Sequence, residues 1–181
     1  MTEAGTVAVD PASLYGREVN TDDEGMNFAL DLAALAAEQG EVPVGAVIVS
    51  DGRIIGVGSN SPITALDPTA HAEVNAIRDA AMRIGNYRLS GATLYVTVEP
   101  CSMCSGAIIH SRIGRVVYGT TEPKAGVVES AERFFDKPFL NWQVEVVGGV
   151  QAEQCATTMT EFFAMRRAGK KKLKKASPAP D

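Results

Sequence analysis

The run TLYVTVEPCSMCSGAIIHSRIGRVVYG, residues 93–119, decides the fold. Its first six residues are apolar, aromatic or β-branched and read as a strand, and Cys101 to Arg112 can form a short helix. RVVYG (115–119) reads as the next strand. A strand, a helix and a strand in close succession imply a right-handed crossover that lays the helix on one face of the sheet. Working outward, VGAVIV (44–49) and RIIGVG (53–58) flank Asp51-Gly52, a dipeptide that tolerates the positive φ values of a tight hairpin. From Glu24 to Gln39, Phe28, Leu32 and Leu35 recur at helical spacing, and Gly40 follows as a stop. A second helix starts at Ala72, carries Val74, Ile77, Ala81 and Ile84 on one stripe, and breaks at Gly85-Asn86. VEVVGGV (144–150) supplies a fifth strand, and a last helix runs from Ala152 to about Ala168. The pattern predicts an α/β protein, a three-layer α/β/α sandwich around a five-stranded mixed sheet.

At 181 residues the chain has the size of one domain with a single core, and 45% hydrophobic with 22% charged residues is a globular balance. No apolar run approaches the roughly 18 residues of a membrane span. The start lacks a basic n-region and a compact apolar stretch, so residues 1–23 read as a disordered leader and the protein as cytoplasmic. Three cysteines, two of them in C-x-x-C, suit a reducing compartment and metal or redox chemistry. Charge is unevenly spread. Residues 166–181 hold seven Lys/Arg and one Asp, against ten Lys/Arg and 21 Asp/Glu in the preceding 165. The segment 169–181 therefore reads as a basic, flexible tail, either a solvated extension or a phosphate-binding element.

Two motifs sit where helices begin. DPTAHAEV (67–74) holds one of the chain's two histidines, and EPCSMC (99–104) holds two cysteines three apart, both facing one side of a first helical turn. Alone, the C-x-x-C is as compatible with a redox pair or half a zinc knuckle, and H-x-E is common. Together they make the H-x-E…P-C-x-x-C pattern of zinc deaminases acting on nucleobases. His71, Cys101 and Cys104 then supply three protein ligands and leave a fourth position for water, as catalytic zinc requires. Zinc lowers the pKa of that water toward roughly 7, and such chemistry needs a group to move its proton; the spacing of Glu73 alone fits equally an acidic residue favoured in a helix's first turn.

Over residues 24–168 the sequence resembles the bacterial tRNA-specific adenosine deaminases of the cytidine-deaminase-like superfamily. The resemblance is carried by EVPVGAVIV (41–49), DPTAHAEV, NYRLSGATLYVTVEPCSMCSGAIIHSRIGRVVYG (86–119) and EFFAMRR (161–167). It implies one Zn2+ per chain on His71, Cys101 and Cys104, with Glu73 catalytic, and hydrolysis of the wobble adenosine of a tRNA anticodon stem-loop to inosine by a homodimer. It also implies that Asn60 hydrogen-bonds the base, that Glu122 lies near the ribose and that Lys124 contacts phosphate. Phe162, Phe163, Arg166 and Arg167 would stack on and neutralise a single-stranded loop, one of the two phenylalanines going to the core. The chain departs from the family at Trp142, where Asn141 is usually followed by His, and at Glu129, a frequent glycine. His110 reads as structural, and Cys155 as a core residue with Met159 and Phe162. Two other readings stay open: a deaminase of a free base or nucleoside on the same scaffold, and a non-enzymatic domain in which Cys155 closes the zinc site.

Overall fold

The computed structural model describes residues 9–176. The elements, in chain order, are α1 (Asp22–Glu38), β1 (Gly45–Ser50), β2 (Arg53–Ser59), α2 (Pro62–Ala65), α3 (Ala72–Ile84), β3 (Thr93–Val98), α4 (Ser102–Ser111), β4 (Arg115–Thr120), β5 (Glu145–Gly148) and α5 (Ala152–Ala176). One five-stranded sheet has the order β2-β1-β3-β4-β5. β1 is antiparallel to both β2 and β3, whereas β4 is parallel to β3 and β5. This is the mixed α/β/α sandwich that the strand–helix–strand run predicts.

Period-two alternation sends the sheet's side chains to two cores. Ala46, Ile48, Leu94, Val96 and Val116 pack with Ala72, Ala76 and Ala80 of α3 and Ile108 of α4. Val47, Val49, Tyr95 and Val117 pack on the other face with Met26, Ala29 and Leu32 of α1 and Cys155 of α5. Both faces are covered, so β1, β3 and β4 read as nearly continuous apolar runs. β2 meets α3 at unusually short range, because a Cβ on Gly58 would fall on the Ala72 carbonyl and the Ala76 amide. That approach fixes the start of α3, and with it His71.

Helix α1 begins two residues before the expected Glu24. Thr21 Oγ1 accepts from the Glu24 amide at 3.2 Å, Glu24 Oε2 accepts from the Asn20 amide at 2.7 Å, and three acidic residues complement the helix dipole.

The ends of the chain correct two expectations. Residues 1–23 do not form a disordered leader throughout: from Val9 onward the segment is ordered, and Leu14 and Val19 are buried in the second core. Its order comes from backbone hydrogen bonds along the outer edge of β2. Gly16 donates to Ile54 O at 2.9 Å, Ile54 to Arg17 O at 3.0 Å and Val19 to Gly52 O at 2.9 Å. At the other end α5 continues through Ala176, past the expected start of a flexible tail at 169. Residues 1–8 of the leader and 177–181 of the tail lie outside the described residues. Among the described residues no helix is long and apolar enough to cross a membrane.

Trp142 has a local structural explanation. Its indole N–H donates to Ile113 O at 2.7 Å, and Arg112, whose guanidinium lies 5.4 Å from the ring centroid, also donates to Asn141 Oδ1 at 2.8 Å. The Asn141-Trp142 pair thus ties the loop before β5 to the end of α4.

Candidate active site and metal centre

β2 and β3 are both antiparallel to β1, which lies between them, and therefore run the same way, so the starts of α3 and α4 that follow them come to one end of the sheet. His71 is the N-cap of α3 and Cys101 the N-cap of α4, and neither side chain bonds its own helix amides. Ser, Thr, Asp or Asn would ordinarily cap there. These two positions instead present ligand atoms: His71 Nδ1 lies 3.7 Å from Cys101 Sγ and 3.6 Å from Cys104 Sγ. Zn–N and Zn–S bonds of about 2.0–2.1 and 2.3 Å at a tetrahedral angle place nitrogen and sulfur about 3.5–3.6 Å apart. All three ligand atoms lie within 4.8 Å of one another, so the donor set, its spacing and its chemistry fit zinc. The Cys101 thiol is lowered to about 4, first by its hydrogen bond with Cys104, whose own thiol is raised in return. Zinc binds cysteine as thiolate, so taking both sulfurs releases their protons. Cys155 lies elsewhere, buried in the second core, and the cluster found among the described residues contains only the three predicted ligands.

Glu73 sits in the first turn of α3 and is only 4% exposed. Burial raises its carboxyl to about 7, near the value that suits a group taking and returning a proton at neutral pH. It opens on a cavity of about 210 Å³ lined also by Val44, Asn60, Val98, Glu122 and Met159. The volume suits one ring system, below the ~300–1,000 Å³ of drug-sized sites. Asn60 is held from both sides. Its amide donates to Val44 O at 2.9 Å, and Asn75 Nδ2 donates to Ser59 O at 2.9 Å and Ser61 Oγ at 3.1 Å.

Of the predicted substrate contacts, Asn60 and Glu122 line the cavity. Lys124 is exposed on the same loop as Glu122, outside the lining. Phe162 is the phenylalanine that goes to the core, 5% exposed, while Phe163 is 40% exposed with its ring edge-on to Phe162. Arg166 lies 5.6 Å from the Phe162 ring centroid and donates to Gly40 O at 3.2 Å; Arg167 is exposed. His110 is exposed in the last turn of α4, away from the metal ligands.

Three residues that line or support the site were missed in the sequence. Asn75 is one. Glu41, 1% exposed, accepts from the Thr64 amide at 2.7 Å and caps α2, whose own N-cap Ser61 makes no side-chain bond to the helix amides. Glu99, 3% exposed, lines the cavity and accepts from the amides of Glu122, Val128, Glu129 and Ser130 at 2.8–3.0 Å and from the Ser130 hydroxyl. Burial pushes its carboxyl up, but the hydrogen bonds from Glu129, Ser130 and Glu122 outweigh it and hold it below the ordinary range. A signal for Glu99 was present: a carboxylate closing an apolar strand, directly before Pro-Cys.

A family model for the cytidine and deoxycytidylate deaminase zinc-binding region matches residues 19–120. The chain is 51% identical over 156 residues to the tRNA-specific adenosine deaminase of Haemophilus influenzae, which spans 86% of this chain and 90% of that protein. To the tRNA-specific adenosine deaminase of Bacillus subtilis it is 42% identical over 154 residues, 85% of this chain and 96% of that one. A structure solved in a study of A-to-I editing by tRNA:A34 deaminases at the wobble position of transfer RNA aligns with a TM-score of 0.72 and 46% identity, covering 74% of this chain and 97% of that one. A guanine deaminase from Nitrosomonas europaea shares the fold, with a TM-score of 0.71 at 20% identity. Likeness at this level over most of the length, centred on the segment that brings histidine and cysteines together, settles the family: the chain belongs to the tRNA-specific adenosine deaminases, within the zinc-binding cytidine and deoxycytidylate deaminase group.

Proposed function

We propose that the protein hydrolyses the wobble adenosine of a tRNA anticodon loop to inosine, working as a homodimer in the cytoplasm. The observation that carries the reading is a half-open cavity, sized for one base, in which a buried carboxyl lies beside His71 and Cys101 of the three-residue zinc cluster. Zinc, held by His71, Cys101 and Cys104, supplies a nucleophilic water at neutral pH. Glu73 takes one proton from the attacking water and delivers it to the ring nitrogen, then takes the remaining proton of the added hydroxyl and delivers it to the amine, which leaves as ammonia while the carbonyl forms. Val42, Val44, Val98 and Met159 give the cavity apolar walls against which a base ring packs. The Asn60 side-chain amide offers both a donor and an acceptor to the base edge, and Glu122 accepts from a sugar hydroxyl. α5 passes the cavity at Met159, and its next turns carry exposed Phe163, Arg166 and Arg167, suited to stacking and phosphate contact.

The test is incubation of zinc-loaded protein with an ACG-anticodon stem-loop, beside free guanine, cytosine and adenosine, assayed for inosine and ammonia. Inosine from the stem-loop alone is expected. Ammonia from a free base or nucleoside with an inert stem-loop would favour the free-base reading and overturn this one. Sedimentation of the pure protein reads the stoichiometry.

A further inference from the structure

The segment 121–130 supplies two cavity walls, Glu122 and Ala125, yet contains no helix or ladder strand of its own. What holds it is a single buried group. Four of its amides and one hydroxyl converge on the Glu99 carboxylate, the four amides at 2.8–3.0 Å. Two backbone interactions reinforce the attachment: Val127 donates to Pro100 O at 3.1 Å, and Cys101 pairs with Gly126. Gly126 belongs to the same device, since a Cβ there would fall on the Glu99 carboxyl. An ionised carboxylate has about four lone-pair sites. Five donors saturate them, so Glu99 has no acceptor left for a substrate proton although it faces the same cavity as Glu73. All five donors lie between residues 122 and 130.

We propose that Glu99 is a positioning residue of the deaminase, which sets the wall carrying Glu122 and Ala125 against the substrate without touching the reacting atoms. The proposal rests on the substrate reading given above. Glu99→Gln keeps the shape but turns an N–H₂ toward N–H donors, Glu99→Asp keeps the charge one methylene short, and Ser130→Ala removes one donor.

The three variants are compared with wild type for zinc content, kcat and KM on the stem-loop, and amide hydrogen exchange. In Glu99→Gln, KM rises at least about tenfold, the equivalent of one charge-assisted hydrogen bond. Its kcat changes less than about threefold, the signature of weakened uniform binding. Amides 122 and 128–130 exchange faster while those of β3 and β4 keep their protection, and zinc stays at one per chain. Glu99→Asp recovers part of the KM, and Ser130→Ala shows the same pattern more weakly. Unchanged KM and unchanged loop exchange overturn the proposal. So does loss of zinc, or a fall in kcat of an order of magnitude at constant KM. If Glu99→Gln does not fold, Ser130→Ala decides by the same readouts. A wild type inert on the stem-loop refutes the substrate reading instead, and the exchange pattern then judges Glu99 by itself.

Discussion

Glu73 and the three ligands beside it divide the work of one site, and substitution separates their roles. Glu73→Ala keeps its fold and its zinc but loses deamination by about 10²–10⁴-fold, the usual contribution of a positioned proton carrier. Single-turnover assays beside metal analysis check this, and near-normal turnover would sink the role. His71→Ala, Cys101→Ala and Cys104→Ala each fall well below one zinc per chain, whereas Cys155→Ala retains it, because Cys155 packs in the opposite core. Metal content measured on the four proteins tests both halves. The ligands and Glu73 were legible because each belongs to a local motif whose spacing carries the chemistry. Glu99, Glu41 and Asn75 were not. The bonds that define them run to groups 14 to 31 residues away in the chain, so even the local signal at Glu99, a carboxylate directly before Pro-Cys, does not name the partners it takes.

Asp22, the first residue of α1, joins four elements. Its two carboxylate oxygens take Arg115 Nη1 and Nη2 at 2.7 and 2.9 Å, Tyr95 donates to it at 3.1 Å, and Arg115 Nε reaches Glu145 at 3.1 Å. Helix α1 is thereby registered on β3, β4 and β5. The Arg115 hydrogen bond holds the Asp22 carboxyl below its ordinary value of 3.8. A carboxyl lowered by folding contributes fully above its unfolded value and loses that contribution as the pH falls through the folded one. Asp22→Asn should therefore cost about 1 kcal/mol near pH 7, as a bidentate but partly solvated pair does. The difference from wild type should shrink below pH 3.8, and urea midpoints at neutral and acid pH read both. Among the elements, β3, α4 and β4 were legible because their period, length and breakers agree. The ordered stretch from Val9 was not, since it has no periodicity and takes its conformation from the amides and carbonyls of β2. The extent of α5 was missed for a related reason: a lysine run reads as solvated chain, although lysine itself favours helix.

The whole molecule carries an acidic body and a basic end, with the lysines from 170 to 175 on the helical continuation of α5. Deleting residues 169–181 should raise the apparent KM for the stem-loop at moderate salt and leave zinc unchanged. The gap should close as salt rises. Every phosphate that the shortened protein no longer neutralises flattens the salt dependence of binding by about 0.7–0.9 log units per log unit of salt. Binding isotherms at three salt concentrations check this, and parallel slopes would mean a merely solubilising extension. A different consequence follows from the segment laid along β2. An unpaired strand edge is a template for edge-to-edge association, and a seven-residue strand offers a long one. By pairing Glu18 with Arg53 and donating Val19 N–H to Gly52, the segment blunts that edge. It thus acts as a guard against self-association. Removing residues 1–20 should leave the catalytic cavity assembled but raise light scattering with time and concentration, beyond the stoichiometry of the intact protein. A truncated protein as monodisperse as the parent would show that the edge needs no such protection.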